Sequence, residues 1–123
     1  MQEAAEKMLR DYYDAMNAQA MDDILKYLSE DIEVHFVDES RNWTGKSTAR
    51  SKFALMYERN PKFKGEIVSF IPNNDGFAVS PVSSAMQISV LARFGSKDDM
   101  ESSQTQTMRY VVDDNLLISS IHH

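Results

Sequence analysis

The chain has 123 residues, enough for one domain and too few for two, and it has no cysteine, which excludes disulfides, thiolate metal sites and cysteine nucleophiles. Nineteen acidic residues against 13 basic give a net charge of −6, and no Lys/Arg stripe offsets it, so nucleic-acid binding is disfavoured. No apolar run approaches the length of a membrane-spanning helix.

The charged start, Met1-Gln2-Glu3-Ala4-Ala5-Glu6-Lys7, lacks the apolar segment of a secretory signal, so a cytoplasmic location is expected. Asn42-Trp43-Thr44 matches a glycosylation sequon and is then read as chance. His122 and His123 are read as a tag remnant or C-terminal tail, leaving 1–121 as one domain.

From residue 3 to about 19, apolar groups at Ala5, Met8, Leu9, Tyr12, Met16 and Ala20 recur at helical spacing and form one apolar stripe. Tyr13 lies roughly 100° further round and reads as a surface or rim residue. A short helix follows from Met21 or Asp22 to Leu28, with Asp22 and Asp23 in its first turn, where carboxylates suit the helix dipole.

Asp31 to Asp38 then alternates: Ile32, Val34, Phe36 and Asp38 on one face, Glu33, His35 and Val37 on the other, the period of a half-buried strand. A third helix starts near Thr44 to Ser47, either of which could cap it, and ends at Asn60-Pro61. Beyond it the pattern is all strand: Phe63 to Ile71, Phe77 to Phe94 with a bend at Pro81, Met100 to Val112, and Leu116 to Ile121. The turns between them fall at Pro72 to Gly76, Gly95 to Asp99 and Asp113 to Asn115. Helices followed by hairpin-linked strands imply an α+β fold with helices on one face of an antiparallel sheet.

Three stretches carry a resemblance to a known family. They are Tyr12-Tyr13-Asp14-Ala15-Met16-Asn17, Ile24-Leu25-Lys26-Tyr27-Leu28-Ser29-Glu30-Asp31-Ile32-Glu33-Val34, and Trp43-Thr44-Gly45-Lys46. With the element order they resemble the nuclear transport factor 2-like superfamily, in particular its SnoaL-like and ketosteroid-isomerase-like members. The resemblance implies a cystatin-like cone: a strongly bent antiparallel sheet on three N-terminal helices, enclosing an apolar pocket. It also implies a homodimer formed through the outer sheet face.

Laid on the ketosteroid isomerases, the oxyanion-hole tyrosine falls on Tyr12, the general-base aspartate on Phe36, and the oxyanion-hole aspartate on Gln106. One of three is kept, one becomes an amide, and the base is lost. Asp38, two residues beyond Phe36, is the displaced candidate base. Its other reading is a solvated strand-end aspartate that caps the following turn.

Tyr12 is either an oxyanion donor or a core tyrosine, and Gln106 either a ligand amide or part of a wet face shared with Gln104. Phe36, Trp43, Phe53, Met56, Tyr57, Met86, Met108 and Tyr110 are the candidate pocket walls, equally readable as plain core. His35, without a partner at i+2 or i+4, is a poor metal ligand; it reads as a surface or dimer-interface residue, with Arg109 on the same outer face. No metal and no cofactor is expected.

The function expected is binding of an apolar, carbonyl-bearing small molecule, with cofactor-free isomerase, dehydratase or cyclase chemistry as the enzymatic form. The alternatives are a non-catalytic dimeric binding or association module, and a subunit-assembly role.

Overall fold

The computed structural model describes residues 2–72, 84–95 and 101–123. Its first helix, α1 (Gln2–Asn17), buries Ala5, Met8, Leu9, Tyr12 and Met16, as the helical spacing requires. Tyr13 departs from expectation: it is buried as well, because the sheet curves round α1 and covers a wider arc than one stripe. The helix ends without glycine. Gln19 takes the left-handed conformation (φ 56°), and Ala20 N donates to the Ala15 carbonyl at 3.0 Å, closing the last turn.

The second helix, α2 (Met21–Lys26), is shorter than its apolar pattern suggested, and the chain passes through Tyr27 directly into β1 (Leu28–His35). That strand begins three residues earlier than Asp31 and stops at His35. At Phe36 the backbone N–H turns to the Asn42 side-chain oxygen, 2.7 Å away, and the chain leaves the sheet through a 3-10 turn (Glu39–Arg41). It rejoins as β2 (Trp43–Thr44).

The third helix, α3 (Lys46–Arg59), is capped by neither Thr44 nor Ser47. Gly45 stands at its N-cap with φ 97°, a conformation that disfavours a side chain. Its N–H donates to the Ile32 carbonyl at 2.8 Å, which ties the start of α3 to β1.

The remaining strands are β3 (Lys64–Pro72), β4 (Ser84–Gly95), β5 (Glu101–Val112) and β6 (Ile118–His122). All but Pro72 of the expected Pro72 to Gly76 turn, the Pro81 bend and most of the Gly95 to Asp99 turn lie outside the described residues.

The sheet runs β2-β1-β6-β5-β4-β3. It is not wholly antiparallel: β1 and β6 pair in parallel, Val34 opposite Ile121 and His35 opposite His122. Residue periodicity identifies a strand and its faces but carries no information about its partner's direction, so this pairing was invisible in the pattern. Register shifts in β1 (between Leu28 and Glu33), β3 (at Val68) and β6 (at Ser119, opposite Val111 and Val112) bend the sheet, which remains unclosed.

Along β5, Met108 and Tyr110 face inward and are buried, while Thr105, Thr107 and Arg109 face out. Their neighbours on β4, Ile88 and Val90, complete the inner wall opposite Met108 and Gln106. The core lies between this wall and α1, closed by Ile24, Leu28, Ile32 and Ile118.

Candidate functional site

A cavity of about 360 Å³ opens where the core gives out, bounded by α1, β1, α3, β4, β5 and β6. Of the residues singled out in the sequence, Tyr12, Phe36, Trp43, Phe53, Met56, Gln106, Met108 and Tyr110 all reach its wall.

Tyr57 and Asp38 do not enter it as expected, and the expectation for Met86 is not tested among the described side chains. Tyr57 stands behind the wall: its hydroxyl donates to the Met16 carbonyl at 2.7 Å and its ring packs between Phe53 and Phe63. Met86 sits on β4 opposite Tyr110, but its side chain is outside the described residues.

Asp38 is placed away from the cavity. Its Oδ1 accepts from Ser40 N at 3.1 Å and Ser40 Oγ at 2.7 Å, capping the 3-10 turn, and its side chain is exposed. The Ser40 hydroxyl and N–H, with a smaller contribution from Arg41, hold its carboxyl below the ordinary carboxylate pKa. A half-buried base needs the opposite shift. The period-two argument fails at Asp38 because the strand ends at His35, and alternation has no meaning past that point.

Two adjacent tyrosines on α1 are treated differently. Tyr13 and Tyr110 share a buried hydrogen bond between their hydroxyls, 2.6 Å long, and Tyr110 Oη lies 3.8 Å from Met108 Sδ. Tyr12 packs edge-on against Tyr13, Tyr27 and Tyr110, at ring separations of 5.5, 6.4 and 6.2 Å. It is only 2% exposed, yet its hydroxyl has no hydrogen-bond partner among the described residues. No fully enclosed polar side-chain atom there lacks a partner, so the Tyr12 hydroxyl opens onto the cavity. Burial pushes the phenols of Tyr12, Tyr13 and Tyr110 well up, keeping all three protonated and able to donate. Gln106 is half-buried on the same wall.

Sequence reasoning missed Tyr13, Arg41, Lys52 and His123 as lining groups. Lys52 lies four residues before Met56 and His123 two after Ile121, so helix and strand periodicity could have placed both. Arg41 lies in a turn, where no period applies. Its guanidinium sits 4.6 Å over the Phe36 ring, and the His123 imidazole stacks on that ring at 4.5 Å. Burial first, then Arg41 and His122, lower the His123 pKa. Among the described residues no cluster of His, Asp or Glu is arranged to hold a metal ion, and no helix is long and apolar enough to cross a membrane.

A family model described as the SnoaL-like domain matches residues 9–119. The chain belongs to the SnoaL-like family. No curated protein matches this SnoaL-like chain. Among solved structures it is similar to RV0760c from Mycobacterium tuberculosis in complex with estradiol-17beta-hemisuccinate, with TM-score 0.79, 13% identity, and coverage of 97% of this chain and 91% of that one.

It is similar also to the delta 5-3-ketosteroid isomerase from a Mycobacterium species, with TM-score 0.77, 13% identity and coverage of 97% and 90%. A third is the epoxide hydrolase/cyclase-like enzyme SalBIII, with TM-score 0.78, 13% identity and coverage of 98% and 89%. At these identities the SnoaL-like chain shares their fold; their chemistry depends on side chains at the site.

Proposed function

We propose that this SnoaL-like protein binds an apolar small molecule carrying an acceptor oxygen such as a carbonyl, with Tyr12 and Gln106 as the hydrogen-bonding groups. The observation that carries this reading is the hydroxyl of the buried Tyr12, which lacks a protein partner among the described residues and opens onto a mostly apolar wall. A ligand oxygen accepting from this hydroxyl adds one hydrogen bond, worth about 1 kcal/mol net. The likeness to a steroid-conjugate complex and to a ketosteroid isomerase supports the same ligand class.

Binding is favoured over proton-transfer chemistry. An isomerase, dehydratase or cyclase of this kind needs a base beside the substrate carbon. The described wall offers no carboxylate, Asp38 serves the turn, and the one imidazole on that wall, His123, is stacked on the Phe36 ring. A second reading, self-association through the sheet, is favoured by Val68, an apolar residue 54% exposed on β3; light scattering on the purified chain reads it directly.

The binding test is titration with androstenedione, a neutral apolar ketone, followed by quenching of Trp43, which lies in the cavity wall. Saturable quenching is expected, and Tyr12→Phe should weaken it about tenfold, the size of one net hydrogen bond. Absence of saturable quenching, or equal affinity in the variant, would refute the proposed contact.

A further inference from the structure

The ionisable side chains around the cavity are one-sided. Its described wall contains Arg41 and Lys52 and neither aspartate nor glutamate, in a chain whose net charge is −6. Elsewhere on the surface, cations and carboxylates are mixed. The groove between α1 and β3 sets Arg10, Lys64 and Arg93 against Asp14 and Glu66. The groove between α2 and α3 sets Lys26, Lys46 and Arg50 against Asp22 and Glu30, with Arg50 bridging Asp22 at 3.0 Å.

Neither Arg41 nor Lys52 has an ion-pair partner among the described residues. Both are exposed and both line the cavity, which places them at its opening. The carboxylate nearest in sequence to Arg41 is Asp38, and that group is turned onto Ser40. Arg41 is held by the ring of Phe36 instead, 4.6 Å away, which leaves its N–H fork unspent. An unspent guanidinium and an ammonium at the mouth of an apolar cavity match a carboxylate or sulfonate attached to an apolar body.

We infer that the ligand of this cavity is an amphipathic organic anion, its apolar body inside and its acidic group at the mouth against Arg41 and Lys52. The inference rests on the binding reading above and adds to it the charge of the ligand.

Two fluorescent probes share one apolar body and differ in charge: anilinonaphthalene sulfonate and neutral N-phenylnaphthylamine. Trp43 is the only tryptophan, so energy transfer from it reports binding at the cavity. The sulfonate should bind about tenfold more tightly than the amine at low salt, with the advantage shrinking as salt rises. Arg41→Gln and Lys52→Gln should each weaken the sulfonate several-fold and the amine much less.

Equal affinities for the two probes, or equal losses of both in the variants, would overturn the charge preference while leaving the cavity a binding site. Failure of both probes to bind saturably would overturn the binding reading and the charge preference together.

Discussion

Asp38 and Tyr12 show how far a single side chain can be read before its surroundings are known. Tyr12 lies in the middle of a long helical stripe, so spacing alone places it facing the core, and that is where it stands. Asp38 lies beyond the last paired residue of β1, where the Phe36 N–H has already turned to Asn42. Extending an alternation past a strand end assigns a face to a residue that has none. Asp38→Asn should therefore leave binding of a neutral apolar ligand unchanged and tighten binding of an anionic one slightly, because a negative charge near Arg41 is lost. Probe titrations on the variant check both; a large loss of neutral-ligand affinity would return Asp38 to the site. Arg41 could not be placed from sequence, because its position depends on a turn held by side-chain bonds rather than on a repeating pattern.

At the level of elements, α1 and β3 are joined by one asparagine. Asn17 Nδ2 donates to the Gly65 carbonyl at 2.8 Å, and Gly65 N donates to Asn17 Oδ1 at 2.7 Å, so the amide substitutes for a missing strand neighbour. Gly65 packs beneath the Tyr13 ring, where a β-carbon would make ordinary van der Waals contact at 3.4 Å. Asn17→Ala breaks both bonds and should lower stability by about 1–3 kcal/mol, measured by urea unfolding. A variant as stable as the parent would show the clamp to be incidental.

The helices and strands on either side of this junction were visible as periods of 3.6 and 2 in the residues. The clamp was not, nor was the Gly45 cap of α3, because each depends on a partner from a distant part of the chain.

For the molecule as a whole, titratable groups set the pH range of the fold. The phenols of Tyr12, Tyr13 and Tyr110 are pushed up by burial, and that of Tyr57 rises to about 12 for the same reason. A raised folded pKa means the native state favours the protonated phenol. This contribution is complete below about pH 10, the unfolded value, and is lost as pH rises above it.

His122 and His123 shift the other way, lowered first by burial and then by neighbouring positive groups. A lowered histidine pKa favours the neutral ring in the fold. Their contribution is present above about pH 6.5 and is lost as pH falls through the folded values. The thermal midpoint should thus be flat between these limits and fall on both sides. His122→Gln with His123→Gln should flatten the acid limb alone, as followed by circular dichroism across pH; an unchanged acid limb would contradict the assignment.

The parallel contact of β1 with β6 gives the cavity an unusual economy. Leu28 lies opposite Ile118, roughly 90 residues away along the chain, so the walls of one small chamber are drawn from both halves of the polypeptide. Closing a loop of that length opposes folding by about 4 kcal/mol of chain entropy. A molecule resting on Tyr12, Phe36, Gln106 and His123 at once acts as a non-covalent staple across that loop. It would hold the terminal strand in place and raise the stability of the whole sheet, by about 2.7 kcal/mol at a hundredfold excess over Kd.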